Sequence, residues 1–345
     1  MKMITEGKAK VSVSREEKIS KKLEVFYNPV MKFNRDISVL LLNCVKERKL
    51  RIGLPLAGSG IRGLRFLLEL KRGKVERVAF NDHKPDFVEY MEKNLKKNKI
   101  KQDKVHISKL DANLFLLKSK GFDYIDVDPF GTPNPFLDSA VSRISRRGIL
   151  AVTATDTSAL CGTFPEACLR KYWAKPLRNE LMHEIGVRIL IRKVQLIGAQ
   201  YERALVPIFC YSRDHYMRVF FKSEKGKQKV NLLLKLHGEH EGAGPMWLGS
   251  LWDTKLVRAM LKNAKDKDVK KYLGMVNQEA QIHIVGFFDV HAVCEKNKLN
   301  IPRKEYLIGK LKKSGYKASS TTFNPYGIRT NAPLNLFLSF LKEKC

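Results

Sequence analysis

The sequence predicts a wound α/β sheet followed by a small, basic α+β region. The first observation is that strand-like runs alternate with helical patterns from Leu50 onward. This alternation is typical of a sheet with helices on its faces. The second observation is that the alternation ends after a polar, glycine-containing segment at 222–244. That segment is the predicted linker to the second region.

Five strands of the predicted sheet follow one another between residues 51 and 154. Strands are predicted at 51–56, 78–80, 105–107, 122–127 and 148–154, with helices at 64–70 and through Tyr90, Met91 and Leu95. A long helix is predicted over 180–199. Two further segments, 205–211 and 216–221, are expected to pair antiparallel at an edge of the sheet.

The region after the predicted linker has the outline of a winged helix. Helical patterns at 255–265, 290–298 and 303–314 are joined by a tight turn at 299–302 and followed by a hairpin-like segment at 316–332. Three parts of the chain are therefore predicted. They are an amino-terminal extension at 1–49 that packs on the sheet domain, the sheet domain at 50–245, and a basic carboxyl-terminal domain at 246–345.

The charge of the chain predicts a polyanionic partner. Its 65 Lys and Arg residues outnumber 35 Asp and Glu residues, which gives a net charge of +30. One alternative is a lysine-rich thermophile surface, but such surfaces usually alternate positive and negative residues as ion pairs. Another is a protein that binds a negatively charged membrane surface. Nucleic acid accounts best for the excess of positive charge. From His291 onward the chain has 11 Lys and Arg against 3 acidic residues, which favours RNA contact by the carboxyl-terminal domain.

Several classes of protein are not favoured by the composition. No apolar stretch approaches the roughly 18 residues that span a bilayer, and residues 1–8 lack a signal-peptide core. A cytoplasmic monomer is predicted. The pair His237 and His240 is interpreted as a polar surface turn. The cysteines form no Cys-x-x-Cys pair, so reduced thiols and no metal site are predicted at Cys44, Cys161, Cys168, Cys210, Cys294 and Cys345.

A glycine-rich turn follows the first predicted strand. The run Gly58-Ser59-Gly60-Ile61-Arg62-Gly63 matches the dinucleotide-binding fingerprint, with Asp82 about 20 residues further on. The same geometry suits S-adenosylmethionine, because glycines let the backbone approach the methionine part while an acidic residue binds the ribose. The motif alone does not separate a dehydrogenase from a methyltransferase. Asp111-Ala112, after the third strand, also suits an adenine ring.

The fourth predicted strand ends in Asp126-Val127-Asp128-Pro129-Phe130-Gly131. This ending is similar to the (Asp/Asn)-Pro-Pro-(Tyr/Phe) signature of enzymes that methylate the amino group of a nucleobase. A carboxylate and a peptide carbonyl can each accept one N–H of the amine, which localises electron density on its nitrogen. The aromatic ring offers a flat face for the base. Asp126, Asp128 and Phe130 also suit a positively charged sulfonium, which favours a methyltransferase over a dehydrogenase.

Over most of its length, the chain resembles the tRNA (guanine-26-N2)-dimethyltransferase family of archaea and eukaryotes. The resemblance rests on long, specific segments at 26–38, 60–65, 126–131, 153–156, 160–162, 244–249 and 324–332. It implies a class I (Rossmann-like) S-adenosylmethionine-dependent methyltransferase domain followed by a family-specific domain. Some members carry a zinc-binding cysteine cluster before the Gly-Pro-x-Trp-x-Gly segment. The absence of such a cluster from 222–244 predicts no zinc.

The motifs give some of the expected site residues, and the resemblance implies the others, among them Arg35 and an arginine of the Arg62 and Arg65 pair. The expected catalytic residues are Asp128, Pro129 and Phe130, with Asp128 holding the guanine amine. The expected cofactor-binding residues are Arg35, Gly58, Gly60, one or both of Arg62 and Arg65, Asp82, Asp111, Ala112 and Asp126. Asp82 is also suited to capping a helix. The expected substrate-binding residues are Asp156, Tyr326 and Arg329, although Asp156 is equally suited to capping a helix and Asn324-Pro325-Tyr326-Gly327 to forming a turn.

The resemblance thus implies an enzyme that methylates N2 of guanine-26 in tRNA, first to N2-methylguanosine and then to N2,N2-dimethylguanosine. The target base must leave its stack to reach the methyl donor. One alternative is a non-catalytic RNA-binding protein with an inherited fold. Another is a methyltransferase for a different base amine, such as adenine N6.

Overall fold

The computed structural model describes residues 1–14 and 25–343. The chain divides into two compact units. The first unit contains residues 1–155, 195–206 and 220–230, and the second contains 156–194, 207–219 and 231–345. The domain boundaries expected after residues 49 and 245 stay predictions.

The chain up to the end of the fifth parallel strand alternates strands and helices. Its elements are β1 (Lys2–Glu6), β2 (Ala9–Val13), α1 (Lys32–Cys44), β3 (Leu50–Leu54), α2 (Ile61–Glu69), β4 (Val75–Asn81), α3 (Phe87–Lys97), β5 (Val105–Ser108), α4 (Ala112–Lys118), β6 (Phe122–Val127), α5 (Asn134–Arg143) and β7 (Ile144–Ala154).

The remainder is richer in helices. Its elements are α6 (Thr157–Leu160), α7 (Pro165–Tyr172), α8 (Met182–Gln200), β8 (Arg203–Arg213), β9 (Tyr216–Lys225), α9 (Lys227–Leu234), β10 (His237–His240), β11 (Ala243–Trp247), α10 (Thr254–Asn263), α11 (Lys267–Glu279), β12 (Phe288–Asp289), α12 (Val290–Asn297), α13 (Lys304–Lys313), β13 (Ala318–Ser320), β14 (Gly327–Thr330) and α14 (Leu334–Lys342).

The central sheet has the strand order β5-β4-β3-β6-β7-β9-β8. Strands β3 to β7 pair in parallel, and their apolar centres, such as Ile52, Val78 and Tyr124, are fully buried. Burial on both faces explains why these strands are almost continuously apolar. The wound α/β sheet and the edge position of β8 and β9 are confirmed. Because β4 and β6 lie on opposite sides of β3, the strand order reverses there, and ligands bind at such a switch point.

A hairpin of β1 and β2 packs on helices α2 and α3. Residues Ala9, Val11 and Val13 alternate inward and are buried, as expected of a strand with one covered face. The hairpin is held by side chains that accept from its backbone. The N–H groups of Lys10 and Ser12 donate to Asn98 Oδ1 at 2.8 Å and Asn94 Oδ1 at 3.0 Å.

The predicted linker at 222–244 is wrong. The segment contains the end of β9, all of α9 and β10, and the start of β11. Val230, Leu233 and Ala243 are buried in it. Its polar composition comes from the exposed faces of a short helix and a hairpin, which a count of polar residues does not distinguish from a linker.

The carboxyl-terminal region has the element order predicted for a winged helix. Helix α11 is followed by β12, α12, α13 and a hairpin of β13 and β14, and the three strands pair antiparallel in the order β12-β14-β13. Leu307 and Leu311 of α13 pack with Val290, Ile328 and Phe337 in one apolar core. Lys312 and Lys313 at the end of α13 are exposed, whereas Lys310 Nζ lies 5.2 Å from the ring centroid of Phe340 in this core.

A buried network of four charges lies in the second unit. Glu184 accepts from Arg188 Nε at 2.8 Å and Arg329 Nη2 at 2.6 Å, and Glu279 accepts from Arg329 Nε at 3.0 Å. None of the four is more than 2 % exposed. Burial alone would raise the pKa of Glu184, but Arg329 and Arg188 outweigh it and lower that pKa to about 2. The network joins α8, α11 and β14.

Glu184→Gln is expected to lower the free energy of unfolding by about 3–5 kcal/mol, because two buried guanidinium groups lose their shared carboxylate. Chemical denaturation at neutral pH measures the loss. The difference from the wild type should narrow as pH falls from about 4.5 toward 2, where the wild-type carboxylate becomes protonated.

The matched control for this change is Glu239→Gln, at the exposed position of strand β10 in the same unit. Its effect should stay within about 0.5 kcal/mol. Equal losses in the two variants would contradict a structural role for the network.

Candidate active site

Polar residues and glycines follow the carboxyl ends of neighbouring parallel strands. Gly58 follows β3, Asp82 follows β4, Asp111 follows β5 and Asp128 follows β6. Because these strands are parallel, the four positions lie along the same edge of the sheet, and this edge includes the switch point. The edge is the candidate active site.

The glycine-rich turn needs its glycines. Gly58 and Gly60 have φ of +56° and +76°, which is the left-handed region. A Cβ on Gly60 would also overlap the sulfur of buried Met91. The N–H of Gly58 donates to Asp82 Oδ2 at 2.9 Å, so Asp82 fixes the turn. Helix α3 begins only at Phe87, so Asp82 is not its cap.

Asp111 and Ala112 begin helix α4. Asp111 is the N-cap, and its Oδ1 accepts from the N–H groups of Asn113 and Leu114 at 2.9 and 3.1 Å. Its side chain is exposed while Ala112 is buried. The cap orients the carboxylate at the sheet edge.

The Asp-Pro-Phe-Gly run forms a turn that is fixed at both ends. Gly131 has φ of +82°, and its N–H donates to Thr155 Oγ1 at 2.6 Å. Pro129 is buried, but Phe130 is 41 % exposed. The Phe130 ring meets Phe26 in an edge-to-face contact with centroids 4.4 Å apart. An exposed aromatic ring is thus held beside the carboxylate of Asp128.

Arg62 joins helix α1 to this turn. Its Nη1 donates to Asn34 Oδ1 and to Ser38 Oγ, both at 2.9 Å. On the other side Arg62 forms ion pairs with Asp128 and with Asp126, whose Oδ1 lies 3.5 Å from Nε. Asp126 also accepts from the hydroxyl of Tyr124.

A small cleft opens beside Arg62. It is lined by residues of the amino-terminal segment, the glycine-rich turn and the β6 turn, namely Phe26, Tyr27, Asn28, Arg35, Leu56, Ala57, Gly58, Ser59, Ile61, Arg62 and Asp128. Of the two arginines left open by the sequence, Arg62 lines this cleft. Arg65 instead lies among carboxylates, with ion pairs to Glu6, Asp36 and Glu69.

Arg35 is held by Glu6 of the amino-terminal hairpin. Its Nε and Nη2 donate to the two Glu6 oxygens at 2.7 and 2.6 Å, and Nη2 also donates to the Asn28 carbonyl at 3.0 Å. Burial would raise the pKa of Glu6, but Arg35 and Arg65 outweigh it and lower that pKa to about 2. Glu6 therefore stays ionised and fixes Arg35 at the cleft.

Three expected substrate residues lie in the second unit. Asp156 accepts from the Tyr172 hydroxyl at 2.6 Å and has no side-chain hydrogen bond as a helix cap. Tyr326 is 50 % exposed and stacks on His291 with centroids 3.9 Å apart. The expected contact of Arg329 with a phosphate of the substrate is wrong. Its guanidinium is buried among Glu184 and Glu279 and is not placed to contact a phosphate.

The histidines, the cysteines and the hydropathy of the helices bear on metal and membrane binding. Within 1–14 and 25–343, no group of three or more His, Cys, Asp and Glu residues could hold a metal. His237 and His240 lie in strand β10 rather than in a turn. The five described cysteines are free thiols, and Cys345 lies outside the described residues. In the described part of the chain, no helix has both the length and the hydropathy needed to span a membrane.

The site can be compared with known proteins. The family model described as N2,N2-dimethylguanosine tRNA methyltransferase matches residues 7–238 and 234–342. The chain belongs to this family. It is 40% identical over 339 residues to the tRNA (guanine(26)-N(2)/guanine(27)-N(2))-dimethyltransferase of Aquifex aeolicus, covering 87% of this chain and 86% of that one. It is 38% identical over 380 residues to the tRNA (guanine(26)-N(2))-dimethyltransferase of Pyrococcus horikoshii, covering 99% and 98%.

A solved structure agrees with this membership of the dimethyltransferase family. The complex of Trm1 from Pyrococcus horikoshii with S-adenosyl-L-methionine superposes with a TM-score of 0.90 at 37% identity, covering 98% of this chain and 99% of that one. The predicted class I methyltransferase fold is confirmed, and the dehydrogenase alternative is wrong.

Gly60→Ala is expected to lower the free energy of unfolding of this protein more than Gly73→Ala does. Both glycines have positive φ, +76° and +79°, so both changes strain the backbone. Only at Gly60 does the new Cβ overlap a buried side chain, since Gly73 has no described heavy atom within 4 Å of that position. Urea unfolding should show an additional loss of about 1–3 kcal/mol at Gly60. Equal losses would contradict close packing of the turn against α3.

Proposed function

We propose that this chain transfers methyl groups from S-adenosylmethionine to N2 of guanine-26 in tRNA, giving N2-methylguanosine and then N2,N2-dimethylguanosine. Membership of the family and the names of relatives that match nearly the whole chain support the reaction. The observation that carries it is the position of Asp128, Pro129 and Phe130 at the sheet edge beside the glycine-rich turn.

The residues at the sheet edge fit S-adenosylmethionine. Gly58 and Gly60 let the backbone of the turn approach its methionine part, and the missing Cβ of Gly60 also leaves room for the side chain of Met91. Arg35 and Arg62 line the same cleft and suit its carboxylate. Asp82 would accept from the ribose hydroxyls, and Asp111 and Ala112 would contact the adenine. When bound, the cofactor supplies an electrophilic methyl group on a positively charged sulfur, which the carboxylate of Asp126 would stabilise.

The guanine amine is activated by two acceptors in the proposed mechanism. Asp128 accepts one of its N–H bonds and the Pro129 carbonyl accepts the other, which localises the nitrogen lone pair. Asp128 orients and polarises the amine rather than removing a proton in the ground state, because a base amine is a very weak acid. Arg62 keeps the Asp128 carboxylate at one position through its ion pair.

Phe130 stabilises the base after it leaves its stack. Extrusion of a nucleotide costs a few kcal/mol. Stacking of a base on an exposed aromatic side chain offsets about 1–3 kcal/mol of this cost. Phe130 is exposed and its ring orientation is fixed by Phe26, so little side-chain freedom is lost on stacking.

We place further RNA contacts in the carboxyl-terminal region. Helix α13 carries Lys312 and Lys313 in its last turn, and both are exposed. Tyr326, stacked on His291, offers a second aromatic surface, and Asp156 is proposed to line the guanine pocket. The monomeric state and the cytoplasmic location stay predictions.

Asp128→Asn is expected to reduce the rate of methyl transfer by about 10²–10⁴-fold, because the charged acceptor of the amine proton is lost. The assay uses purified tRNA and labelled S-adenosylmethionine. Calorimetry should show that the affinity for the cofactor stays within a few-fold of the wild type. The control is Asp103→Asn, which removes an exposed carboxylate and should leave the rate unchanged. An unchanged rate in Asp128→Asn would reject the assigned role.

The identity of the product separates the remaining alternatives. Nucleoside analysis of the methylated tRNA should find N2-methylated guanosine at position 26. Methyl groups on adenine N6 would indicate a different base-amine methyltransferase. Binding of tRNA without any methyl transfer by the wild type would favour the non-catalytic protein.

Binding of tRNA should weaken steeply between 50 and 200 mM salt, because each phosphate contact releases counterions. The double change Lys312→Ala and Lys313→Ala should lower the slope of log Kd against log salt by about 1.5. Filter binding over a salt series measures the slope, with Lys118→Ala as the control. A slope that is unchanged in the double variant would remove α13 from the RNA contacts.

A further inference from the structure

An exposed tryptophan with a strained backbone ends helix α7. Trp173 has φ of +57° and ψ of +41°, and it is 48 % exposed. The left-handed region is a clear outlier for a bulky side chain. Glycine would fit this helix end without strain. Neither burial nor backbone preference therefore explains a tryptophan here, and observed strain of this kind points to function.

The indole ring of Trp173 is held in place from helix α8. Lys193 Nζ lies 2.9 Å from the centroid of the ring, and Lys193 itself is only 5 % exposed. Arg192 Nη1 donates to the carbonyl oxygen of Trp173 at 3.2 Å. A cation against one face of the ring fixes its orientation. The exposed part of the ring is consequently a rigid, flat surface.

The surroundings of Trp173 have an excess of positive charge. The segment 164–178 contains four Lys and Arg residues and one glutamate. We define the Trp173 surface by its exposed side chains, which are Phe164, Leu169, Arg170, Trp173, Lys175 and Arg178.

Arg192 and Lys193, the two cations that contact Trp173, have no counter-ion among the described residues. Arg192 and Lys193 form no ion pair there, and Arg192 Nε has no hydrogen-bond partner. Burial and the charge of Arg192 lower the pKa of Lys193 to about 8. The same two causes lower the pKa of His237 to about 4. An anion bound nearby would relieve this repulsion.

We infer that the Trp173 surface binds an unpaired nucleotide of the tRNA, with its base stacked on Trp173 and its phosphates beside Arg170, Lys175 and Arg178. A fixed aromatic ring among cations is the combination that binds unpaired nucleic acid strands. The inference rests on the proposed function, because that function supplies the RNA. The surface is formed by α7 and the residues that flank it, outside the predicted winged helix.

Tryptophan fluorescence tests this contact in the unmodified protein. The chain has three tryptophans, and Trp247 and Trp252 are only 5 and 7 % exposed. Quenching by neutral acrylamide therefore reports mainly on Trp173. Filter binding gives the tRNA concentration that saturates the protein. At that concentration, acrylamide should quench the fluorescence of Trp173 less than it does without tRNA. Trp173→Phe should lose the protected signal, which assigns it to this residue.

Substitutions at Trp173 test the energetic contribution of the ring. Trp173→Ala and Trp173→Gly should both weaken tRNA binding about tenfold, and Trp173→Phe should weaken it less. The KM for tRNA should rise while kcat and the affinity for S-adenosylmethionine stay unchanged. Leu232→Ala, an exposed apolar side chain on α9, is the control and should bind tRNA like the wild type.

The glycine variant separates binding from folding. Trp173→Gly should have a thermal midpoint no lower than that of Trp173→Ala, because glycine adopts φ of +57° without strain. Equal losses of binding in the two variants, despite different stabilities, support the inference.

Three outcomes would overturn the inference. Wild-type affinity for tRNA in both variants, together with unprotected Trp173, rejects the contact and leaves the proposed function intact. Protection by phosphatidylserine vesicles but not by tRNA would assign the surface to a membrane. A wild-type protein that neither binds nor methylates tRNA would remove the proposed function and this inference together.

Discussion

The ion pairs of Arg62 connect the amino-terminal helix α1 to the end of the central strand β6. One guanidinium group binds Asn34 and Ser38 on α1 and approaches Asp126 and Asp128 on the other side. Two carboxylates so close together repel each other unless a cation lies between them. The position of Asp128 therefore depends on α1, although α1 is not part of the sheet.

The arginines near the cleft also depend on the amino-terminal hairpin of β1 and β2. Glu6 pairs with both Arg35 and Arg65, and each of these three residues is at most 5 % exposed. Buried ion pairs are costly to break, because one unpaired charge remains inside the protein. The hairpin thus fixes Arg35, and helix α2 carries both Arg62 and Arg65. A change at Glu6 would be transmitted through these contacts to the cleft.

The placement of candidate site residues at the carboxyl ends of strands could be predicted, because it follows from local patterns. Gly58, Gly60, Asp82 and Asp128 follow predicted strands, and strand ends and glycine turns are local signals. Glu6 and Asn34 were missed because their partners are 59 and 28 residues away. Arg329 was misassigned because a motif does not indicate whether its arginine faces the core. The linker at 222–244 was wrong because polar composition also describes an exposed helix and hairpin.

The most direct test of the account is a double-mutant cycle for Arg62→Met and Asp128→Asn, measured as single-turnover methyl transfer with saturating cofactor and tRNA. If Arg62 acts by holding Asp128 in position, the double variant should be about as slow as the slower single variant. Losses that multiply would show that the two residues act independently and would contradict the account.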